Sequence, residues 1–278
     1  MTLPAPAKLN LFLHITARRD DGYHSLQTVF QILDYSDEIT LERRADGVIK
    51  RIKGLEQVPE ESDLCVRATK LLQEKTDSNY GVNISIQKNL PIGGGIGGGS
   101  SDAATVLRGL NKLWKCGLTV SQLAELGLQL GADVPLFVEG YSAWAEGVGE
   151  ALTPLSLDQK WYLVIHPNVF VSTAEIFADK ALTRDSETIT IARFLESNKN
   201  DLVNVFEGVV KNKYPEIADA ISWLSQFSTA RLTGTGSCIF ATFDEKKLAQ
   251  QVLIKLPKQW QGFVAKGVNK SPLLGALS

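Results

Sequence analysis

The sequence predicts an α+β protein whose chain divides near residue 155 into two parts, 1–155 and 156–278. Three observations predict it. Segments with period-two apolar alternation are interleaved along the chain with segments of helical spacing. The second part reads β-α-α-β-β-α-β, an order that lays helices on an antiparallel sheet. The 278 residues, 44% of them hydrophobic and 22% charged, can bury one large core or two modest ones without a disulfide or metal staple.

The elements follow in order. Segment 7–16 reads as a strand, with Leu9, Leu11 and Leu13 alternating with Lys8, Asn10 and Phe12. Arg19-Asp20-Asp21-Gly22 is a turn, and 27–33 a second strand. Segments 38–43 and 48–52 flank Ala45-Asp46-Gly47 and read as a hairpin. Val66, Ala68, Leu71 and Leu72 predict a helix over 64–74, and Val82, Ile84 and Ile86 a strand over 81–87. After a glycine-rich stretch, Ala103, Ala104, Leu107, Leu110, Leu113 and Trp114 form the apolar stripe of a helix. Thr119-x-x-Gln122 is a capping box for the next helix, with Leu123, Leu126 and Leu130 as its stripe and Gly131 as its stop. Residues 142–145 and the segment near Ala151 read as a hairpin. In the second part, 161–165 is a continuous apolar strand ended by Pro167, and Ser172-x-x-Glu175 opens a short helix. Segments 201–211 and 215–224 read as helices, 231–243 as a hairpin around Gly234-Thr235-Gly236, 248–256 as a helix and 262–268 as a last strand.

Composition narrows the function classes. The 29 basic and 31 acidic residues leave a net charge of −2, which disfavours an obligate nucleic-acid binder. The three cysteines (Cys65, Cys116 and Cys238) are far apart and read as free thiols of a reducing, cytoplasmic setting. His14, His24 and His166 lack metal-ligand spacing. No run of 18 apolar residues predicts a membrane span, and Lys8 and Asn10 interrupt the apolar N-terminal stretch, so no secretory leader is expected.

The strongest single signal is Pro91-Ile92-Gly93-Gly94-Gly95-Ile96-Gly97-Gly98-Gly99-Ser100-Ser101, followed by Asp102-Ala103-Ala104. Six glycines in seven residues cost backbone entropy, and they let a ligand approach the main chain closely. The run leads into a helix N-terminus, where free N–H groups and the dipole attract an anion such as phosphate. Gly93, Gly95 and Gly98 match G-x-G-x-x-G, but a dinucleotide site also wants an acid near 113–118, and none is there. A Walker A loop would end in G-K-[ST], and the lysine is missing. The protein-kinase set of motifs is absent as well.

Taken together, the motifs resemble those of the GHMP small-molecule kinases. The glycine run is similar to that family's phosphate loop, Ala5-Pro6-Ala7-Lys8-Leu9-Asn10-Leu11 to its N-terminal motif, and Leu232-Thr233-Gly234-Thr235-Gly236-Ser237-Cys238 to its C-terminal glycine motif. Asp21-Gly22-Tyr23-His24-x-Leu26, the segment Gly131-Ala132-Asp133-Val134-Pro135-Leu136-Phe137, and Gly147-Val148-Gly149-Glu150 narrow the likeness to the branch acting in the non-mevalonate route to isoprenoid precursors. The likeness runs from about residue 5 to 268. It implies a two-domain GHMP kinase fold, with an N-terminal α/β domain carrying a left-handed β-α-β crossover and a ferredoxin-like C-terminal domain.

The resemblance also implies roles. The γ-phosphoryl of ATP would pass to a hydroxyl of a cytidine diphosphate sugar alcohol. The family's catalytic pair falls on Lys8 and Asp133. The residues themselves are compatible with this: Lys8 is the one charge in an apolar strand, and Asp133 would offer it a partner. A structural salt bridge remains the alternative for that pair. ATP would lie on 91–101, with adenine near Leu64 and Lys88, and Asp63 standing where the family has Asn. Tyr23, His24, Phe30 and Phe177 would hold cytidine in an aromatic slot, and Asn10 and Thr173 the polyol or its diphosphate. Mg is implied with ATP, through Ser100 or Ser101, and no carboxylate ligand stands out. No nucleic-acid or membrane partner is expected, and the chain would be a monomer or weak homodimer. Three other readings stay open: a GHMP kinase for another alcohol (mevalonate- or homoserine-like), a non-catalytic nucleotide sensor of the same fold, and an NAD-linked oxidoreductase.

Overall fold

The structure is a computed structural model and describes residues 1–54, 58–196 and 202–278. Its spine is an antiparallel pair of long strands, β1 (Thr2–Arg18) and β2 (His24–Arg44). Sequence patterning breaks β2 into two strands; the structure makes them one. The polar stretch 34–37 holds its extended form through tertiary partners: Asp34 accepts from the Lys266 N–H, Tyr35 stacks on Phe263, and Asp37 is fully buried. In β1 the register shifts on both sides of Lys8, between Pro6 and Lys8 and again between Asn10 and Leu13. Such bulges re-aim side chains next to active sites.

The expected hairpin after β2 does not form. β3 (Ile49–Lys53) turns away and pairs in parallel with β4 (Gly81–Gln87), which inserts between β3 and β2. Helix α1 (Leu64–Thr76) makes the crossover between the two parallel strands. Gly81 permits the insertion, because a Cβ there would lie 2.1 Å from the Val48 carbonyl oxygen. Helices α2 (Gly98–Leu113), α3 (Val120–Leu128) and α4 (Val134–Glu139) follow, and the β5 (Ala143–Glu146)–β6 (Ala151–Pro154) hairpin joins the edge of β2. The Thr119–Gln122 capping box is present. Because α2 runs on into α3 rather than a strand, the dinucleotide reading of the glycine run loses its β-α-β frame.

The second part is a four-stranded antiparallel sheet, ordered β10-β7-β9-β8, from β7 (Trp161–His166), β8 (Ala230–Leu232), β9 (Ile239–Phe243) and β10 (Gln261–Val268). Helices α5 (Thr173–Ala178), α6 (Ile191–Glu196), α7 (Phe206–Lys213), α8 (Pro215–Leu224) and α9 (Lys246–Leu253) accompany it, while α10 (Pro272–Leu277) packs back on β1 and α2. The helix expected over 201–211 begins five residues later than its pattern suggests; Asp201 itself lies outside the described residues. Asn204 explains the late start. Its side chain donates to the Leu232 and Gly234 carbonyls and accepts from the Phe206 N–H, which ties 204–206 to a loop instead of a helical turn. The six-residue helices α4, α6 and α10 are too short to show a period.

The two parts share one sheet. β10 pairs with β7 along its length and with Leu33 and Ile32 of β2 at its end. A core of Ala7, Leu9, Phe12, Val29 and Leu33 with Val164, Phe240 and Phe263 spans the expected boundary.

Candidate active site

The glycine run caps the N-terminus of α2 and is gripped from two sides. The Lys8 N–H of β1 donates to the Ile96 carbonyl at 3.0 Å, and the Cys238 N–H donates to the Gly94 carbonyl at 3.0 Å. Ile96 is a buried peg between these grips. The C-terminal glycine turn packs main chain against main chain at this point: a Cβ on Gly95 would lie 2.5 Å from the Thr233 carbonyl oxygen. Two glycine motifs about 140 residues apart in sequence are thus one structural unit.

Two cavities meet at this unit. One, of about 310 Å³, is lined by residues 91–100 with Leu64, Lys88 and Asp102. The other, of about 400 Å³, holds Lys8, Asn10, Phe30, Asp133, Thr173 and Phe177. Gly95, Gly97 and Ser100 line both. The glycine loop is therefore a wall that the two cavities share.

Lys8 and Asp133 come together, with Nζ 3.3 Å from Oδ2. The Lys8 side chain is almost wholly buried and that of Asp133 is 32% exposed. Asp133 sits at the N-cap of α4 but makes no side-chain capping bond, so its carboxylate is free to face the cleft. Lys8 also donates to Asn10 Oδ1 at 2.7 Å and lies 5.1 Å from the Phe30 ring centre. The Asn10 amide donates in turn to Thr28 Oγ1, while its backbone N–H donates to Thr233 Oγ1. Asn10 lines the cleft, yet its side-chain oxygen and amide are taken up by Lys8 and Thr28.

The other expected residues divide. Thr173 hydrogen-bonds Thr235 at 2.9 Å across the mouth of the cleft. His24 packs on Phe177, with centroids 5.2 Å apart, but is not itself among the residues lining the cavity; burial, with Arg184 and Arg18 nearby, lowers its pKa. Tyr23 is 66% exposed and is not part of the cleft lining. Ser101 is fully buried, and its hydroxyl has no hydrogen-bond partner; Ser100 is the hydroxyl that faces both cavities.

Asp63 is not among the residues that line the glycine-loop cavity. One oxygen accepts from the Cys65 and Val66 N–H groups at the start of α1, and the other pairs with Arg51 at 2.7 Å. Asp63→Ala is expected to lower stability by about 1 to 3 kcal/mol in urea unfolding. A loss of nucleotide affinity with stability unchanged would instead put a carboxylate oxygen on the base.

Sequence reading missed the environment of Lys88. Its ammonium is bound by both Asp37 and Asp102, the latter at 2.8 Å. Burial opposes the Lys88 charge, but the two carboxylates beside it raise its pKa above the ordinary lysine value. Burial pushes Asp102 up to about 7 despite Lys88. No periodicity announces such a cluster, since Asp37, Lys88 and Asp102 meet only through the sheet. Among the described residues no group of three His, Cys, Asp or Glu side chains could hold a metal ion by itself, and no helix is long and apolar enough to cross a membrane.

Comparison with known proteins shows the family and the fold. Residues 63–141 match the GHMP kinases N terminal domain and 181–262 the GHMP kinases C terminal family. A 4-diphosphocytidyl-2-C-methyl-D-erythritol kinase of Nitrosococcus oceani is 57% identical, covering 99% of this chain and 97% of its own. One of Hahella chejuensis is 55% identical over 100% of this chain and 96% of its own. A crystal structure of 4-(cytidine 5'-diphospho)-2C-methyl-D-erythritol kinase superposes with a TM-score of 0.85 at 30% identity, covering 96% of this chain and 100% of that one. Mevalonate kinase of Methanococcus jannaschii shares the fold, with a TM-score of 0.69 at 16% identity over 97% and 98% of the two chains. The chain belongs to the GHMP kinase family, among its 4-diphosphocytidyl-2-C-methyl-D-erythritol kinases.

Proposed function

We propose that the protein transfers the γ-phosphoryl group of ATP to the 2-hydroxyl of 4-diphosphocytidyl-2-C-methyl-D-erythritol. The observation that carries this reading is the Lys8–Asp133 pair, set in a cleft that shares Gly95, Gly97 and Ser100 with the phosphate-loop cavity. Phosphoryl transfer relies on positioning and charge stabilisation. The acceptor hydroxyl is un-ionised at neutral pH and needs a proton acceptor, and Asp133 Oδ2 takes that role. Lys8, oriented by Asn10, holds the carboxylate and places positive charge where the phosphoryl group crosses. The glycine-loop N–H groups and the α2 N-terminus hold the polyphosphate. His24 with Phe177, and Phe30 deeper in the cleft, suit the cytosine ring and the start of the polyol.

Magnesium fits as a companion of the nucleotide. Ser100 faces both cavities and could contribute one hydroxyl ligand, while the phosphates supply the others. Bound there, it would neutralise charge on the transferring group.

The test is ADP release with Mg·ATP and a panel of alcohols: the cytidyl compound, mevalonate, homoserine and galactose. Turnover with the cytidyl compound alone is expected. Turnover with another member would keep the kinase and remove the aromatic slot. Nucleotide binding with no turnover on any of them would favour a sensor.

A further inference from the structure

The Lys88 cluster holds one negative charge more than Lys88 needs. The ammonium faces two carboxylates, Asp37 and Asp102. Asp37 is fully engaged, since its other oxygen accepts from the Asn89 and Leu90 N–H groups at 2.6 and 2.8 Å. It fastens the entry of the glycine loop to β2. Asp102 is not fully engaged. Its Oδ2 meets Lys88, but Oδ1 is buried and has no hydrogen-bond partner. Asp102 is 4% exposed, sits in the first turns of α2, and lines the nucleotide cavity beside Gly98, Gly99 and Ser100.

A buried acceptor without a partner costs stability, and a lysine already paired with Asp37 does not need a second carboxylate. The surplus charge stands in the wall of a cavity built to hold polyphosphate. The other ionisable groups around it do not cancel it. Cys65 on α1 is a buried thiol kept neutral by desolvation, and Lys8 on β1, beside Gly97, is already held by Asn10 and Asp133.

We propose that Asp102 sets nucleotide affinity: its carboxylate repels the bound polyphosphate and hastens departure of the product nucleotide. The inference rests on the kinase reading above. Six glycines and a helix N-terminus alone would grip ADP as well as ATP, and in many kinases and other closing enzymes product release limits turnover. At the mildly alkaline pH of the test, a like charge in a partly dry wall is the simplest counterweight.

The test is Asp102→Asn, which keeps shape and an acceptor for Lys88 and removes one charge. ADP affinity is measured by calorimetry at mildly alkaline pH and low salt, in EDTA and again with Mg²⁺, and ADP dissociation by stopped flow. Binding at least ~5-fold tighter in both conditions, with slower dissociation, is expected. Unchanged affinity with a lowered unfolding temperature would reduce Asp102 to a structural residue and overturn the proposal. Weaker binding only with Mg²⁺ would make it a metal ligand and overturn it as well. Asp102→Ser, for which the same tightening is expected, decides the matter if the asparagine variant does not fold. If the unmodified chain bound no adenine nucleotide, the kinase reading would fall first; binding that Asp102→Asn leaves no tighter would sink this inference alone.

Discussion

Asp133→Asn is expected to lower kcat at least ~10²-fold while the KM of both substrates stays close to that of the unmodified chain. The substitution keeps volume and one acceptor oxygen but removes the basicity. It should cost little stability, because the carboxylate is 32% exposed and caps nothing. Lys8 keeps its bond to Asn10, so the positive charge remains in place. The change therefore isolates the proton acceptor from the positioning machinery. Steady-state kinetics with purified cytidyl substrate reads it directly. A kcat near normal would return the pair to a structural salt bridge.

Gly95→Ala is expected to cost about 3 kcal/mol or more of stability and, where the chain still folds, most of its nucleotide affinity. Gly95 has a φ of +72°, and an added Cβ would meet the Thr233 carbonyl at 2.5 Å and the Gly236 carbonyl at 2.8 Å. Both obstacles are main chain in a second tight turn, so neither can swing aside. Gly98→Ala is the control. Its Cβ would find Lys88 Nζ at 3.5 Å and Leu90 Cβ at 3.7 Å, which is ordinary contact. Urea titration and nucleotide calorimetry on both variants separate loop architecture from phosphate access. Equal stability of the two would mean that the glycine motifs do not lean on each other as described.

Local chemistry made much of this legible from the sequence. The capping box at Thr119, the alternation of 81–87 and the glycine run depend on neighbours in the chain, and each stands where its pattern places it. What pattern missed depends on partners far away. The β2 strand runs on through 34–37 because β10 and the loop after β4 supply bonds there. β3 leaves β2 because β4 arrives from beyond a helix to take its place. At the site, Lys8 was legible as a lone charge in an apolar strand. Asp37 and Asp102 were not, because an acidic residue becomes notable only when its burial and its lysine are seen. The setting of Asp63 was hidden for a related reason: position in a motif does not say which way a side chain turns, and this one turns to cap α1.

The strand that joins the two parts bears on how the chain is made. β10 contributes its Gly267 and Val268 to the pairing of β2, and Ser142 reaches across to the Val268 and Asn269 carbonyls. Helix α10 then packs on β1 and α2. During translation these segments leave the ribosome after every other strand described. The N-terminal part therefore waits with Ile32 and Leu33 of its spine lacking their β10 partners, for seconds at ordinary elongation rates. Over that interval the nascent chain is the form most exposed to strand-edge aggregation, and a chaperone that shields β2 until β10 arrives would be guarding the vulnerable surface.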